Sequence, residues 1–348
     1  MRIIFSGGGT MGSVSPLIAI FEAIKQKQPP AEFLWLATKD GPEEKLIASY
    51  SIPVKKIFAG KLRRYFSFKN FLDPFFVLLG FFQSLLIIFK FKPRVIISAG
   101  GFVAVPVVWA GWFLRRPSLI HQQDIRLGLA NQLMAPFASI ITVSFEKSLA
   151  DFPAKKTHWL GNPVRADILK GDKKAADDFF KLELGLPTIL VIGGGTGAQS
   201  LNNLVLDSLS ELVKFCQVIH LTGGRTDKIA SHPRYHNFEF LVGKLKDAYA
   251  AADLVISRAG MSVLTELAVL GKPAIVIPIP GSHQEENAVE FFKNNAIKIL
   301  NENSLSAQNF LAAIKQLLFD RPELDNLSRN MAKIMPRNAA EKIAAMIL

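Results

Sequence analysis

The chain opens with Ile3-Ile4-Phe5-Ser6-Gly7-Gly8-Gly9-Thr10-Met11-Gly12, and the same design returns at Ile189-Leu190-Val191-Ile192-Gly193-Gly194-Gly195-Thr196-Gly197-Ala198. Each stretch predicts a buried strand, a tight glycine turn and an amphipathic helix. In such a turn the bare backbone can approach a phosphate, and the helix N-terminus supplies N–H donors and a partial positive charge. Because the copies lie about half of the 348-residue chain apart, they predict two α/β domains of similar size facing one cleft.

Strand-like and helical segments alternate along the rest of the chain. This rhythm predicts parallel sheets, with polar turns after the strand carboxyl ends, where open α/β sheets bind ligands. We expect an N-terminal domain over residues 1–165, a C-terminal domain over 166–335 and a last helix, 336–348, that can cross back to the first domain. The predicted strands include 32–37, 94–98, 118–121, 140–143, 218–221, 238–242, 254–257 and 274–277.

Composition indicates a globular protein, because 49% of the residues are hydrophobic and 20% are charged. The single cysteine, Cys216, lies in an apolar stretch, so we expect a core thiol and a protein of the reducing cytosol. A formal net charge of +12 permits nucleic acid, anionic lipid or phosphorylated substrates as partners.

The distribution of the basic residues favours lipid. Nine basic residues and one acid lie between Lys55 and Arg94, and nine of the 27 phenylalanines lie between Phe66 and Phe91. The apolar run Phe75 to Phe89 has 15 residues, whereas a spanning helix needs about 20. It predicts a helix with one face in the domain and another at a bilayer interface; the alternative is a wholly buried helix. No pattern typical of a nucleic-acid site is visible, so nucleic acid is not an expected partner.

An ordinary dinucleotide site is not supported in detail. Gly7, Gly9 and Gly12 fit the Gly-x-Gly-x-x-Gly pattern, but the acid that should follow would be Asp40, which lies too far along and in a turn. The second copy has Ala198 at the third glycine position.

Further motifs point elsewhere. They are Gly60-Lys-Leu-Arg-Arg-Tyr65, Gly100-Gly-Phe-Val-Ala-Val-Pro106, His121-Gln-Gln-Asp124 with Gly128-Leu-Ala-Asn131, Gly161-Asn-Pro-Val-Arg165, Arg258-Ala-Gly-Met-Ser262 with Glu266, and His283-Gln284 with Asn287-Ala288. Together with the glycine turns, these motifs resemble the MurG family, the N-acetylglucosaminyltransferases that convert lipid I to lipid II in peptidoglycan synthesis.

The resemblance implies a GT-B fold, made of two Rossmann-like domains with parallel sheets. It implies a bacterial hexosyltransferase that moves N-acetylglucosamine from UDP-N-acetylglucosamine (UDP-GlcNAc) to undecaprenyl-pyrophosphoryl-MurNAc-pentapeptide. The enzyme would need no cofactor and would lie peripherally on the cytoplasmic face of the cell membrane. Two alternatives stay open: a related GT-B transferase with another nucleotide sugar or lipid-linked acceptor, and a non-catalytic nucleotide-sugar-binding relative.

The resemblance also assigns site residues. Arg165 and the helix N-termini would neutralise the diphosphate without a metal ion, and no Asp-x-Asp pair is present. Glu266 would contact the ribose; the alternative is a solvated acid on a helix. Gln284 and Asn287 would contact sugar hydroxyls; the alternative is a polar loop. The full donor set is Thr10, Met11, Gly12, Asp124, Arg165, Gly195, Thr196, Leu241, Val242, Met261, Ser262, Val263, Glu266, Gln284 and Asn287. The acceptor set is Gly100, Gly101, Phe102 and Asn131.

One departure concerns the catalytic base. The family's first loop carries a histidine where this chain has Ser13, and its second loop often carries a serine where this chain has Gly195. A serine cannot act as a general base unaided near pH 7. The candidates are therefore Ser13, His121 and Asp124, of which the last two follow a strand and are expected to face the cleft; a structural role is the alternative for His121. If none of these residues acts as the base, two outcomes stay open. Positioning of the substrates and stabilisation of the leaving group are sufficient for transfer, or the activity is reduced or altered.

Overall fold

The computed structural model describes residues 1–9, 12–27, 30–38, 41, 43–60, 69–194, 198–224, 230–241 and 243–348. The chain forms two compact units, Met1–Arg165 with Pro336–Leu348, and Ala166–Met335.

The first unit contains a seven-stranded parallel sheet in the order β3-β2-β1-β4-β5-β6-β7. Ile3 of β1 lies opposite Phe33 of β2 and opposite Val95 of β4. The strands are β1 (Arg2–Ser6), β2 (Glu32–Ala37), β3 (Val54–Lys56), β4 (Val95–Ser98), β5 (Ser118–Gln122), β6 (Ile140–Val143) and β7 (Thr157–Trp159). The helices are α1 (Ser15–Lys27), α2 (Glu43–Ser49), α3 (Lys69–Phe91), α4 (Ala104–Phe113) and α5 (Leu129–Met134).

Alternation along β1 divides the core of this unit between the two faces of the sheet. Ile3 and Phe5 pack in a cluster with α1, whereas Ile4 packs in another with Ile88 of α3 and Val107 of α4. Short 3-10 turns follow β6 at Glu146–Asp151 and Ala154–Lys156.

The second unit contains a six-stranded sheet in the order β10-β9-β8-β11-β12-β13, whose pairs are all parallel. Its strands are β8 (Thr188–Ile192), β9 (Gln217–Leu221), β10 (Tyr235–Phe238), β11 (Leu254–Ser257), β12 (Ala274–Val276) and β13 (Lys298–Ile299). Its helices are α6 (Lys173–Phe180), α7 (Gln199–Asp207), α8 (Leu209–Leu212), α9 (Leu245–Ala251), α10 (Met261–Leu270), α11 (His283–Lys293), α12 (Ala307–Phe319) and α13 (Arg321–Met331), with 3-10 turns at Ala166–Lys170 and Glu302–Ser304.

The last helix, α14 (Ala339–Ile347), belongs to the first unit. Ile343 and Ala344 are buried in the cluster that contains Ile3 and Phe5, and α14 packs against α1. The helix therefore closes one face of the first sheet.

The predicted strand at 238–242 is wrong in position, because β10 ends at Phe238. The strand is fixed instead by Tyr235, which pairs in register with Val218 of β9 and is buried. Tertiary pairing outweighs the stronger local hydrophobic run that follows, as is common for strands.

Helix α3 has 23 residues and is longer than the apolar run suggested. Its stretch Asp73–Phe91 has the length and composition of a membrane span. Gly80, Ser84 and Ile88 are nevertheless buried in the first unit, while the opposite face is exposed. The alternative of a wholly buried helix is therefore wrong. The exposed face consists of Phe75, Leu78, Phe82, Leu86 and Phe89.

Candidate functional site

Each sheet has a topological switch point, where strand order reverses. In the first sheet it lies between β1 and β4, and in the second between β8 and β11. Ligands of open α/β sheets bind in the crevice at the carboxyl ends of the strands flanking such a point. Glycine turns follow all four of these strands, at residues 7–9, 100–101, 193–194 and 260.

The turns of the first unit pack tightly against one another. The ring of Phe102 fills the space where a β-carbon on Gly9 would stand. A β-carbon on Gly101 would lie 2.9 Å from the Gly8 carbonyl oxygen and 3.4 Å from Ser13 Oγ. Both glycines have positive φ angles, +81° for Gly9 and +88° for Gly101. Ser13 is only 6% exposed, so it lies within this packing.

The expectation that His121 follows a strand and faces the cleft is wrong, because His121 lies within β5 and is fully buried. Its Nδ1 lies 2.9 Å from Thr142 Oγ1 and its Nε2 lies 2.8 Å from Asn162 Oδ1. Burial lowers the pKa of His121 to about 4. The ring is thus neutral near pH 7 and both nitrogens are engaged, which supports the structural alternative.

Asp124 lies in a loop after β5 that two glutamines hold. Gln122 Nε2 donates to the carbonyl oxygens of Asp124 (2.8 Å) and Arg126 (2.9 Å), and Gln123 Nε2 donates to Ala99 O (2.9 Å). Asp124 itself is partly exposed. Of the three catalytic candidates, it is the one whose side chain both carries a carboxylate and reaches the surface of the unit.

Asn131 lies beside this loop, at the start of α5. Its Nδ2 donates to His121 O at 3.0 Å and to Gln122 Oε1 at 2.6 Å. Its Oδ1 is buried and has no hydrogen-bond partner within the part of the chain that the structure describes. That oxygen lies 3.6 Å from where a β-carbon on Gly100 would stand, so Asn131 and Gly100 of the expected acceptor set are neighbours.

The turn before α10 has open surroundings. Apart from its chain neighbours, no described residue has an atom within 4 Å of where a β-carbon on Gly260 would stand. The same holds for Gly194, but residues 195–197 of that turn lie outside the described residues. The N-cap of α10 is Gly260, which has no side chain to accept from the first-turn N–H groups. Ser262 Oγ, in the first turn of α10, is buried and unpartnered in the described ranges. This end of α10 can therefore accept an anion.

Glu266 lies four residues after Ser262 on the same face of α10. It is only 6% exposed, and its Oε2 accepts a 2.7 Å hydrogen bond from the Tyr249 hydroxyl. The alternative of a solvated helix acid is therefore wrong. Met261 and Val263 of the donor set are buried beside it.

Gln284 and Asn287, both on α11, differ in position. Gln284 is half-buried, and its Oε1 accepts from Ile279 N at 3.2 Å. Asn287 is fully buried, and its Nδ2 donates to Ala259 O at 3.3 Å. The expectation that Asn287 contacts a sugar hydroxyl is therefore wrong, because none of its surface is accessible; it holds the turn before α10 instead.

The remaining expected site residues divide into two groups. Gly12 is exposed, and Arg165 and Leu241 are half-buried, each within its own unit. Thr10, Met11, Gly195, Thr196 and Val242 lie outside the described residues, so their assignments stay predictions.

Sequence reasoning missed the partners of these residues. Tyr249 and Glu302 carry no local signal, since each meets its partner across a long sequence separation. Arg258 lies in the Arg258-Ala-Gly-Met-Ser262 motif, but the resemblance assigns no role to it. In the described ranges, no group of three or more His, Cys, Asp or Glu side chains could hold a metal ion; metal independence stays a prediction.

Two family models match the chain. The glycosyltransferase family 28 N-terminal domain matches residues 3–143, and the family 28 C-terminal domain matches residues 188–344. A Bacillus anthracis protein named UDP-N-acetylglucosamine--N-acetylmuramyl-(pentapeptide) pyrophosphoryl-undecaprenol N-acetylglucosamine transferase 2 is 37% identical over 322 residues, which cover 91% of each chain. A Legionella pneumophila (strain Paris) transferase of the same name, without the number, is 36% identical over 352 residues, covering 99% of this chain and 96% of the relative.

The chain belongs to the MurG family. Its fold resembles the crystal structure of Acinetobacter baumannii MurG, with a TM-score of 0.74 and 24% identity over 99% of this chain and 98% of that one. The UDP-GlcNAc 2-epimerase of Neisseria meningitidis, solved with UDP-GlcNAc bound, shares the fold at a TM-score of 0.70 and 14% identity, covering 100% and 99% of the two chains. The predicted family, the GT-B fold and the glycosyltransferase class are thus confirmed.

Proposed function

We propose that this MurG-family protein transfers N-acetylglucosamine from UDP-GlcNAc to the lipid-linked acceptor undecaprenyl-pyrophosphoryl-MurNAc-pentapeptide, converting lipid I to lipid II in peptidoglycan synthesis. The observation that carries the proposal is the carboxyl edge of the second sheet. There the N-terminus of α10, whose N-cap Gly260 has open surroundings among the described residues, and the buried carboxylate of Glu266 occur together.

The second unit would hold the donor. The N-terminus of α10 would bind the diphosphate, and the unpartnered Ser262 Oγ would add a hydrogen bond. Glu266 would accept from the ribose hydroxyls while Tyr249 holds its carboxylate in place. Arg165, the last residue of the first unit, would add a positive charge. When the bond between the anomeric carbon and the β-phosphate oxygen breaks, the N-terminus of α10, Ser262 and Arg165 would stabilise the negative charge that develops on departing UDP.

The first unit would supply the proton acceptor. As the acceptor hydroxyl attacks the anomeric carbon, its proton must pass to a base. Ser13 is a hydroxyl buried within packed turns, and the neutral His121 is buried with both nitrogens engaged. We assign this step to Asp124, whose backbone is held by Gln122 and whose side chain is partly exposed.

An assay of UDP release with purified lipid I tests the proposal. We expect lipid I-dependent release from UDP-GlcNAc that exceeds release from other UDP-sugars and persists in EDTA. Asp124→Asn is expected to lower turnover at saturating donor by roughly 10²- to 10⁴-fold, the usual worth of general-base assistance. Arg165→Ala is expected to weaken UDP binding by about 1.5–3 kcal/mol.

Other results would count against parts of this assignment. If Ser13→His raises turnover and Asp124→Asn does not lower it, then the histidine that the family carries at position 13 was lost and no other residue serves as the base. UDP binding without transfer to any lipid-linked acceptor would favour the non-catalytic alternative. Preference for another sugar would favour the related transferase.

We also propose that α3 binds the membrane peripherally. Its exposed face presents Phe75, Phe82 and Phe89 along its length, and exposed Phe113 of α4 extends this surface through its ring contact with Phe81. The basic residues Lys55, Lys90, Lys92 and Arg94 are exposed, whereas Lys61, Arg63 and Arg64 lie outside the described residues. An apolar face flanked by cations suits an interfacial helix, and the buried Gly80 and Ser84 oppose a spanning one.

Vesicle sedimentation tests this membrane proposal. We expect binding to phosphatidylcholine vesicles that contain phosphatidylglycerol, with partial release at high salt because the cations are screened. The double substitution Phe82→Ser, Leu86→Ser should abolish binding, while Leu184→Ser, at a leucine of the second unit that is 89% exposed, should not. Equal binding by all variants would show that α3 is not the membrane contact.

A further inference from the structure

Arg258 connects the segments that follow the strands of the second sheet. It comes directly after β11 and is only 4% exposed. Its Nη1 donates to Ile277 O at 3.0 Å and to Glu302 Oε2 at 2.8 Å. Its Nη2 donates to Glu302 Oε1 at 2.7 Å and to Ser200 Oγ at 2.6 Å.

The partners of Arg258 come from different crossovers. Ser200 is in the first turn of α7, which follows β8; Ile277 follows β12; and Glu302 follows β13. Because β8, β11, β12 and β13 are neighbours in the sheet, one guanidinium joins the segments at four consecutive carboxyl ends. Those segments lead into α7, α10 and α11.

We propose that Arg258, held by Glu302, is a positioning residue for the diphosphate of the nucleotide-sugar donor. It fixes the N-termini of α7 and α10 at the spacing needed for their N–H groups to bind one diphosphate. This inference rests on the donor site proposed above, and it adds a role for an ion pair to which the motifs assign none.

The geometry distinguishes this role from direct phosphate binding. Both Nη atoms of Arg258 already donate to two protein acceptors each, and the bidentate bond to Glu302 neutralises its charge. Its Nε has no partner in the described ranges, but it is buried. The hydrogen bonds from Arg258 lower the pKa of Glu302, so the carboxylate stays ionised. Buried ion pairs contribute little net stability compared with apolar packing, so the pair is better explained by geometry than by stability.

Calorimetric titration with UDP tests the inference, alongside the Michaelis constants for UDP-GlcNAc and lipid I. Arg258→Gln and Glu302→Gln are each expected to raise the UDP Kd and the donor KM by about 10- to 100-fold, because misplaced helix N-termini would lose hydrogen bonds to the charged diphosphate. The acceptor KM should not change. Because the two residues act through one contact, the double variant should be no worse than either single variant.

Glu183→Gln is the matched control. Glu183 also forms a bidentate pair, with Arg234 at 2.8 Å for both bonds, but this pair lies near the amino ends of β8 and β10 and is more exposed. The Glu183→Gln variant should keep the UDP affinity and the turnover of the wild type. If it raises the UDP Kd as much as Glu302→Gln does, the effect is a general loss of structure and the inference is wrong.

Further outcomes would also overturn the inference. Loss of UDP binding in Arg258→Gln alone, with Glu302→Gln unaffected, would mean that Arg258 contacts phosphate itself. If either variant fails to fold, Ser200→Ala removes a single hydrogen bond and should raise the UDP Kd about 2- to 10-fold; an unchanged Kd there would contradict the inference. A wild-type protein that binds UDP but does not modify lipid I would refute the proposed transfer reaction while leaving this test valid.

Discussion

The two units carry glycine turns at equivalent points of their sheets, but the turns that the structure describes differ in their surroundings. In the first unit a β-carbon on Gly9 would overlap the Phe102 ring, and one on Gly101 would lie 2.9 Å from the Gly8 carbonyl oxygen. In the second unit a β-carbon on Gly260 would meet no described atom beyond its chain neighbours. A glycine turn therefore serves packing in the first unit, whereas the turn before α10 leaves space beside its backbone.

The difference extends to the polar side chains at the two edges. In the first unit Ser13, His121 and Asn131 are buried among protein atoms. In the second unit Ser262 Oγ, in the first turn of α10, has no partner among the described residues. The comparison supports the proposal that the second unit binds the diphosphate, and it predicts that packing of the first-unit turns contributes to stability.

The largest effect should come from Gly9→Ala. An alanine there would be strained at φ +81° and would overlap the Phe102 ring, so the first unit should lose about 2–4 kcal/mol of unfolding free energy. All four tryptophans, Trp35, Trp109, Trp112 and Trp159, lie in the first unit, so tryptophan fluorescence during urea unfolding reports on that unit alone.

Gly128→Ala is the control for this measurement, because Gly128 is also in the first unit but no described atom lies within 4 Å of its β-carbon position. Equal stability of the two variants would mean that the turns of the first unit are not closed by packing.

The next effect concerns Glu266 in the second unit. Glu266→Gln keeps the shape but removes the charge that accepts ribose hydroxyls, so UDP binding should weaken by about 1.5–3 kcal/mol. Calorimetric titration measures the loss. Tyr249→Phe should have a smaller effect, since it removes only the hydroxyl that holds the carboxylate. Unchanged UDP affinity in Glu266→Gln would remove this residue from the donor site.

The buried His121 predicts a pH dependence of the first unit. Its folded pKa, about 4, lies below its ordinary value of 6.5, so its contribution to stability is complete above pH 6.5 and is lost as pH falls toward 4. Between pH 7 and pH 5 the wild type should lose about 2 kcal/mol more than His121→Gln, measured by tryptophan fluorescence in urea.

His158→Gln, at an exposed histidine of the same unit, is the control and should follow the wild type. The pKa of His220 in the second unit is also lowered to about 4 by burial, but that unit contains no tryptophan and so does not contribute to the signal. Parallel pH profiles for the wild type and His121→Gln would show that His121 is not buried in solution.

Local patterns were sufficient to predict most of the fold. The runs that end at Ser6 and Ile192 are continuous apolar strands bounded by glycine, a signal that needs no distant partner. The position of β10 was not predictable in this way, because Tyr235 is held by pairing with β9 and by its hydroxyl, which lies 2.9 Å from His220 Nδ1.

Burial at the site was harder to predict than chemistry. The carboxylate of Glu266 was identified from its motif, but the burial of His121 and Asn287 depends on neighbouring strands and helices that the motifs do not contain. The pair of Arg258 and Glu302 joins residues 44 positions apart and has no sequence signature. Side-chain partners of this kind become visible only in the folded sheet.

The smallest effect on stability should come from Gly260→Ala. Gly260 has φ −73° and ψ 134°, a conformation that any residue adopts, and no described atom lies near its β-carbon position. The free energy of unfolding, followed by circular dichroism in urea, should therefore change by less than about 0.5 kcal/mol. UDP affinity should still fall, because the added methyl group would stand at the N-terminus of α10 where a phosphate must approach the backbone. A variant that binds UDP as the wild type does would show that the open turn is not the diphosphate site. A variant destabilised as strongly as Gly9→Ala would remove the contrast between the two units.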